Sequence, residues 1–181
     1  MTNLIDIRRR IRSVKSTQQI TKAMKMVAAS KLRRSQDRVL GARPYARTLA
    51  ATLASVASRV PPGADGEPPH PLLQKRPERR VVVVTVTGDK GLCGAFNTNV
   101  NRITTTFLRE LAGKGAEAIS LVTLGRKGND FWRRRPYKID VGRPGIFAKF
   151  SYATAAELAQ GLTDRFVAGE IDAVYLVYNE F

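Results

Sequence analysis

The chain has 181 residues, 43% of them hydrophobic and 25% charged, a composition that excludes a disordered or a collagen-like protein. Its 31 lysines and arginines against 15 acidic residues give a net charge of +16, which predicts acidic partners: nucleic acid, anionic lipid or an acidic protein surface. No apolar run approaches the roughly 20 residues of a membrane-spanning helix. The single cysteine excludes an internal disulfide, and we expect no secretory signal and a reducing compartment.

The first third of the chain predicts one long basic helix. Residues 1–60 contain 14 basic and two acidic residues. A heptad pattern begins at Leu4, steps alternately by three and four residues, and meets apolar side chains at 12 of 16 positions up to Val56. It predicts a helix over residues 1–58, about 80 Å long, with a bend near residues 41–44 because proline removes a backbone donor.

This heptad stripe needs a second helix, and no other heptad helix is predicted in the sequence. The partner must come from another subunit or from a further part of a longer polypeptide. Between Gln18 and Lys25 the stripe turns polar, while Ile20, Met24 and Val27 form an apolar line beside it. This stretch of the helix is therefore expected to face something other than its coiled-coil partner.

Residues 59–79 are rich in proline and glycine, which predicts a linker without regular structure, and His70 within it is expected to be plain solvated surface. After the linker, short strands alternate with helices, which predicts a small α/β domain over residues 80–181 with a mostly parallel, Rossmann-like sheet. The predicted strands are residues 80–87, 117–124, 137–141 and 171–178, and the predicted helices are residues 96–111, 126–134 and 153–168.

The loop GDKGLCG after the first strand resembles a phosphate-binding loop only superficially. Gly88, Gly91 and Gly94 are spaced by three, and Ala and Phe stand where a phosphate loop has Lys and Ser or Thr. The dinucleotide pattern fails as well, because Lys90 replaces its second glycine. Cys93 has no second cysteine and no suitable histidine. We expect no catalytic residue, no cofactor and no metal, and hence a mechanical or binding protein.

A basic coiled-coil protein that binds nucleic acid is the alternative. Such a protein would be expected to place aromatic or amide side chains among its arginines to contact bases. The basic stretch up to Arg43 contains no aromatic residue. Nucleic acid is therefore the weaker of the two interpretations.

Three segments together carry a resemblance to a known family. They are RRRIRSVKSTQQITKAMKMVAASKLRRSQ (residues 8–36), ARPYA (residues 42–46) and TGDKGLCGAFNTN (residues 87–99). Together they resemble the gamma subunit of the rotary F-type ATP synthase, its central stalk, and the likeness extends over nearly the whole chain. The resemblance implies an N-terminal helix paired antiparallel with a C-terminal helix, and an α/β domain at the base of this shaft. It also implies that the family's chains run about a hundred residues further, so that the missing heptad partner is their C-terminal helix.

The resemblance implies a function without catalysis by this chain. The shaft would turn inside a ring of alpha and beta subunits and couple ion flow through the membrane c-ring to nucleotide chemistry at the beta subunits. The implied partners are the alpha, beta and epsilon subunits, the c-ring and the chain's own C-terminal helix, but not nucleic acid. The implied location is the cytoplasmic face of the bacterial plasma membrane, where the protein would be peripheral.

The resemblance also implies which residues face the stator. A stretch of the helix, and residues in or beside the helix that follows the GDKGLCG loop, would face an acidic loop of the beta subunits. The helical stretch is the one where the heptad stripe turns polar and the charge stays positive, so both arguments select it. The expected rotor–stator contact residues are Lys22, Met24, Lys25, Lys31, Lys90 and Cys93.

Overall fold

The computed structural model describes residues 3–61, 68 and 70–180. Contacts divide the chain into two units, Met1–Val60 and Pro61–Phe181. The fold class is the predicted one: a long N-terminal helix, followed by a Rossmann-like α/β domain with a four-stranded parallel sheet.

Helix α1 forms the first unit and runs from Leu4 to Arg59, a length of 56 residues or about 84 Å. Asn3 caps it, since its side-chain oxygen accepts a hydrogen bond from the backbone N–H of Ile5. The predicted long helix is thus confirmed, and it continues through Pro44. The bend near residues 41–44 stays a prediction. No residue of α1 is buried.

In the described part of the chain, the second unit contains the sheet and three α-helices. The strands are β1 (Arg80–Val86), β2 (Ala118–Leu124), β3 (Lys138–Arg143) and β4 (Ala173–Val177), and the helices are α2 (Phe96–Gly113), α3 (Arg126–Trp132) and α4 (Tyr152–Val167). The strand order is β3-β2-β1-β4, and each neighbouring pair is parallel. The β-branched run of β1 therefore lies inside the sheet, as expected for a strand that is apolar on both faces.

The core has two layers because successive residues of β1 point to opposite faces of the sheet. On one face the buried cluster is Val81, Val83, Leu108, Leu111, Leu121 and Trp132. On the other face it is Val82, Val84, Val122, Leu124 and Ile171, against which Leu158, Leu162 and Phe166 of α4 pack. The domain thus has a hydrophobic core of its own.

The described part of the predicted linker partly packs on this domain. Pro71–Leu73 form a short 3-10 turn, so the prediction of no regular structure is wrong for these three residues. Arg76 donates a hydrogen bond to the carbonyl oxygen of Phe166 at 2.9 Å and lies over its ring. His70 is exposed, and its Nδ1 accepts a hydrogen bond from the N–H of Leu72. Residues 62–67 and 69 of the predicted linker lie outside the described residues.

Gly125 provides a test of the packing at the carboxyl end of the sheet. Its φ is +98°, and a Cβ at this position would lie 2.1 Å from the carbonyl oxygen of Thr87. Gly125→Ala is therefore expected to lower the free energy of unfolding by more than about 2 kcal/mol. Urea denaturation followed by the fluorescence of Trp132, the single and buried tryptophan, measures it.

The matched control is Gly161→Ala in α4, where a Cβ would enter open space. This change is expected to raise the free energy of unfolding by about 0.5 to 1 kcal/mol, because alanine restricts the unfolded chain more than glycine does. Equal destabilisation by the two substitutions would contradict the close approach at Gly125.

Candidate functional site

Four of the six expected contact residues lie in α1, and all four are exposed. A helix turns about 100° per residue. Met24 and Lys31, seven residues apart, therefore lie on nearly the same line along the helix, whereas Lys25 lies about 100° and Lys22 about 160° around the helix from Met24. The helix thus presents an apolar side chain and three cations over about half of its circumference.

Two threonines at and beside the polar part of the heptad stripe form hydrogen bonds within the helix. Thr17 Oγ1 donates to the carbonyl oxygen of Ser13 at 3.0 Å, and Thr21 Oγ1 donates to that of Thr17 at 2.9 Å. These bonds to the preceding turn need no partner helix. Met24 in the same stretch is 60% exposed. The stretch is therefore a free surface of the unit, polar on one side and apolar on the other.

The other two expected residues, Lys90 and Cys93, lie together in the exposed loop between β1 and α2, at the carboxyl end of the sheet. Leu92 between them has a φ of +60°, a left-handed conformation that is uncommon for a residue other than glycine, and its side chain is fully exposed. Gly94 has a φ of +56°. The loop therefore turns sharply and projects the side chains of Lys90, Leu92 and Cys93 into solvent.

Asn97, in the first turn of α2, holds this loop closed. Its Oδ1 accepts a hydrogen bond from the N–H of Gly88 at 2.8 Å. Its Nδ2 donates to Cys93 Sγ at 3.1 Å and to the carbonyl oxygen of Lys90 at 3.4 Å. Asn97 was not among the expected site residues, although an amide side chain just after a glycine-rich loop is a common way to close a turn.

Asp89 ties the same loop to two others. Its carboxylate accepts hydrogen bonds from the backbone N–H groups of Arg126 at 2.8 Å, Gly145 at 2.7 Å and Phe147 at 3.2 Å. Partial burial raises the pKa of Asp89, but the three N–H donors and the charge of Arg126 outweigh it and hold the pKa below its ordinary value. No motif in the sequence marks Asp89, because its three partners lie 37, 56 and 58 positions away.

The hydrogen bonds to Asp89 disfavour nucleotide binding at this end of the sheet. In open parallel sheets, ligands bind outside the carboxyl ends of the strands, where backbone N–H groups hold their phosphates. Here the N–H groups after β2 and β3 already hold the carboxylate of Asp89, which would repel a phosphate. Within residues 3–61, 68 and 70–180, no three or more His, Cys, Asp or Glu side chains form a group that could hold a metal ion.

The two units together define a class of protein: a long helix with an exposed apolar stripe, joined to a parallel α/β domain whose carboxyl edge is closed by its own aspartate. The sequence profile of the ATP synthase family matches residues 3–181, so the chain belongs to that family. None of the described helices is long and apolar enough to cross a membrane.

Curated relatives are similar along the whole chain. It is 50% identical to an ATP synthase gamma chain of Anaeromyxobacter sp. (strain Fw109-5), 51% identical to one of Solibacter usitatus (strain Ellin6076), and 47% identical to one of Pelotomaculum thermopropionicum. In each comparison all of this chain is covered. The chain spans 61% of the length of the first and third relatives and 62% of the second.

The contacts of Asp89 predict a pH-dependent stability. Asp89→Asn is expected to lower the free energy of unfolding by about 1 to 3 kcal/mol at pH 7, because an amide accepts fewer of the three N–H bonds. Because the folded pKa is depressed, the carboxylate's contribution is present above the unfolded pKa of about 3.9 and is lost as the pH falls through the folded value. The difference between wild type and variant should therefore shrink below about pH 4.

Urea denaturation of both proteins at pH 7 and near pH 3, followed by Trp132 fluorescence, measures this difference. The control is Asp130→Asn, since Asp130 is an exposed acid of α3, and a change within about 0.5 kcal/mol is expected. A deficit of the Asp89 variant that stays constant down to pH 3 would rule out the carboxylate as its source.

The closed carboxyl edge also predicts that this chain by itself does not bind ATP. A calorimetric titration with magnesium ATP is expected to show no saturable heat, because the N–H groups are occupied and the loop lacks the Lys-Ser/Thr step. A one-to-one site with a Kd near 1 μM, which corresponds to about −8 kcal/mol, would contradict this expectation.

Proposed function

We propose that this chain forms part of the central rotor shaft of an F-type ATP synthase. The observation that carries the proposal is α1: 56 residues, none of them buried, with an exposed apolar stripe on a chain about half identical to ATP synthase gamma chains. A stripe of this length requires a second helix. We infer that α1 is one half of an antiparallel coiled coil and that the other half is the chain's own C-terminal helix.

The proposed mechanism is mechanical. A two-helix supercoil is stiff enough to transmit torque and buries the apolar stripe, whereas a single helix leaves that stripe in water. Ion flow through the membrane c-ring would turn the shaft, and the beta subunits would carry out the nucleotide chemistry as the shaft presents different faces to them. In this proposal the chain is not catalytic and is peripheral at the cytoplasmic face of the bacterial membrane. Its partners are the alpha, beta and epsilon subunits and the c-ring; the relatives do not support the nucleic-acid alternative.

The proposed rotor–stator contact consists of one part on each unit. Lys22, Met24, Lys25 and Lys31 in α1, and Lys90 and Cys93 in the loop, would meet an acidic loop of the beta subunits. All six are exposed. Exposed ion pairs are each worth less than about 1 kcal/mol, which suits a contact that must form and release on every turn.

Met24→Lys tests this contact. The substitution adds a cation beside Lys25, and one extra, partly desolvated charge pair of about 1 to 3 kcal/mol would make the contact with the acidic loop too persistent. The complex should assemble and hydrolyse ATP but pump ions poorly. Ion pumping per ATP hydrolysed, measured in reconstituted vesicles, is the readout.

The matched control is Met24→Leu, which keeps volume and neutrality and should pump nearly normally. Normal pumping by the lysine variant would remove Met24 from the contact. Failure of the wild-type protein to co-purify with alpha and beta subunits would refute the proposed function as a whole.

A further inference from the structure

We propose that the carboxyl end of the sheet carries a second contact segment, residues 146–152. Together with the loop 88–94, it would bind an acidic protein segment that bears apolar side chains between its carboxylates. This proposal rests on the proposed function, and we place that acidic segment on the beta subunits.

Three exposed aromatic side chains are grouped in residues 146–152. Phe147 and Phe150 are both exposed, and their ring centroids lie 5.8 Å apart. Tyr152, at the start of α4, is 88% exposed. Grouped aromatic side chains are seldom left in water without a partner and are enriched in the centres of protein interfaces.

Asp89 joins this segment to the loop. Its carboxylate accepts hydrogen bonds from the N–H groups of Gly145 and Phe147, and the N–H of Lys127 donates to the carbonyl oxygen of Gly88 at 3.1 Å. The aromatic segment and the loop with Lys90, Leu92 and Cys93 are therefore held at the same end of the same sheet. The fully exposed Leu92 adds an aliphatic side chain to this surface.

The charges at this end of the sheet indicate the charge of the partner. Lys90, Lys149, Arg126 and Lys127 are exposed cations of the two segments and of the adjoining start of α3. The acid of these segments, Asp89, is held by three N–H groups. The accessible surface is thus apolar and cationic, which is complementary to carboxylates beside apolar side chains.

A protein partner fits this surface better than a membrane. The loop has a fixed conformation, with Leu92 in the left-handed region and Asn97 bonded to Gly88, Lys90 and Cys93. Such preorganisation lowers the entropy cost of binding a partner of defined shape. A fluid lipid headgroup surface has no defined shape, so a preorganised loop does not improve its binding.

Site-specific photocrosslinking in the ATP synthase complex, with the full-length protein, tests the proposal. p-Benzoylphenylalanine is introduced in separate variants at Phe150, at Tyr152, at Lys90 and at Ile103, an exposed residue of α2 that serves as the control. We expect irradiation to link positions 150, 152 and 90 to a beta subunit, and position 103 to none.

The outcomes separate this proposal from the proposed function. Crosslinks to a beta subunit from position 90 but not from 150 or 152 would overturn the second segment and leave the proposed function standing. If none of positions 90, 150 and 152 crosslinked to a beta subunit, the result would count against the proposed function as well. Crosslinks from 150 and 152 to lipid, to a second copy of this chain or to a different subunit would also overturn it.

A pair of double variants measures the contribution of the segment. Lys149→Gln with Phe150→Ser is expected to raise the Kd of the full-length protein for a ring of alpha and beta subunits about tenfold. Arg102→Gln with Ile103→Ser removes an equally exposed cation and apolar side chain from α2 and should change the Kd less than about twofold. Equal effects of the two pairs would overturn the proposal.

Discussion

An α-helix that is 56 residues long and has an apolar stripe along it has no way to bury that stripe against itself. In α1 the large apolar side chains from Leu4 to Val56 remain exposed, and no residue of the helix is buried. In proteins, most of the stability of such a helix comes from packing of its apolar face and not from helix propensity. The first unit therefore needs a partner helix to cover its apolar stripe, and the proposal that the chain is part of a shaft depends on this requirement.

The second unit, unlike α1, has a hydrophobic core of its own. Strand β1 lies between β2 and β4, and its valines alternate between two packed layers. At the carboxyl end of the sheet, Asp89 holds three loops together, and Leu92, Phe147 and Phe150 are exposed there. The edge that in many sheets of this type accepts a phosphate is here a rigid surface built by the chain's own carboxylate.

Much of this architecture follows from local sequence patterns. The heptad repeat predicts α1, the run of β-branched residues predicts β1, and the alternation after it predicts the parallel sheet. Contacts between distant residues do not follow from such patterns: Asp89 accepts hydrogen bonds from N–H groups 37, 56 and 58 positions away. No periodicity marks such a residue, since its role depends on which loops the fold brings together. Leu92 is similar, because its left-handed backbone is a consequence of the closed loop.

The strand order also has a consequence for how the chain comes to be folded. Strand β1 pairs with β2 about 40 residues later, but its other edge pairs with β4, where Val81 lies opposite Ala173. Contacts between distant residues carry a larger entropy of loop closure and form slowly. On the ribosome, one edge of β1 therefore stays unpaired until nearly all of this chain has emerged, and during that interval the apolar stripe of α1 is exposed as well. Such a nascent chain exposes an unpaired strand edge and an apolar stripe, the kinds of surface that aggregate and that chaperones protect.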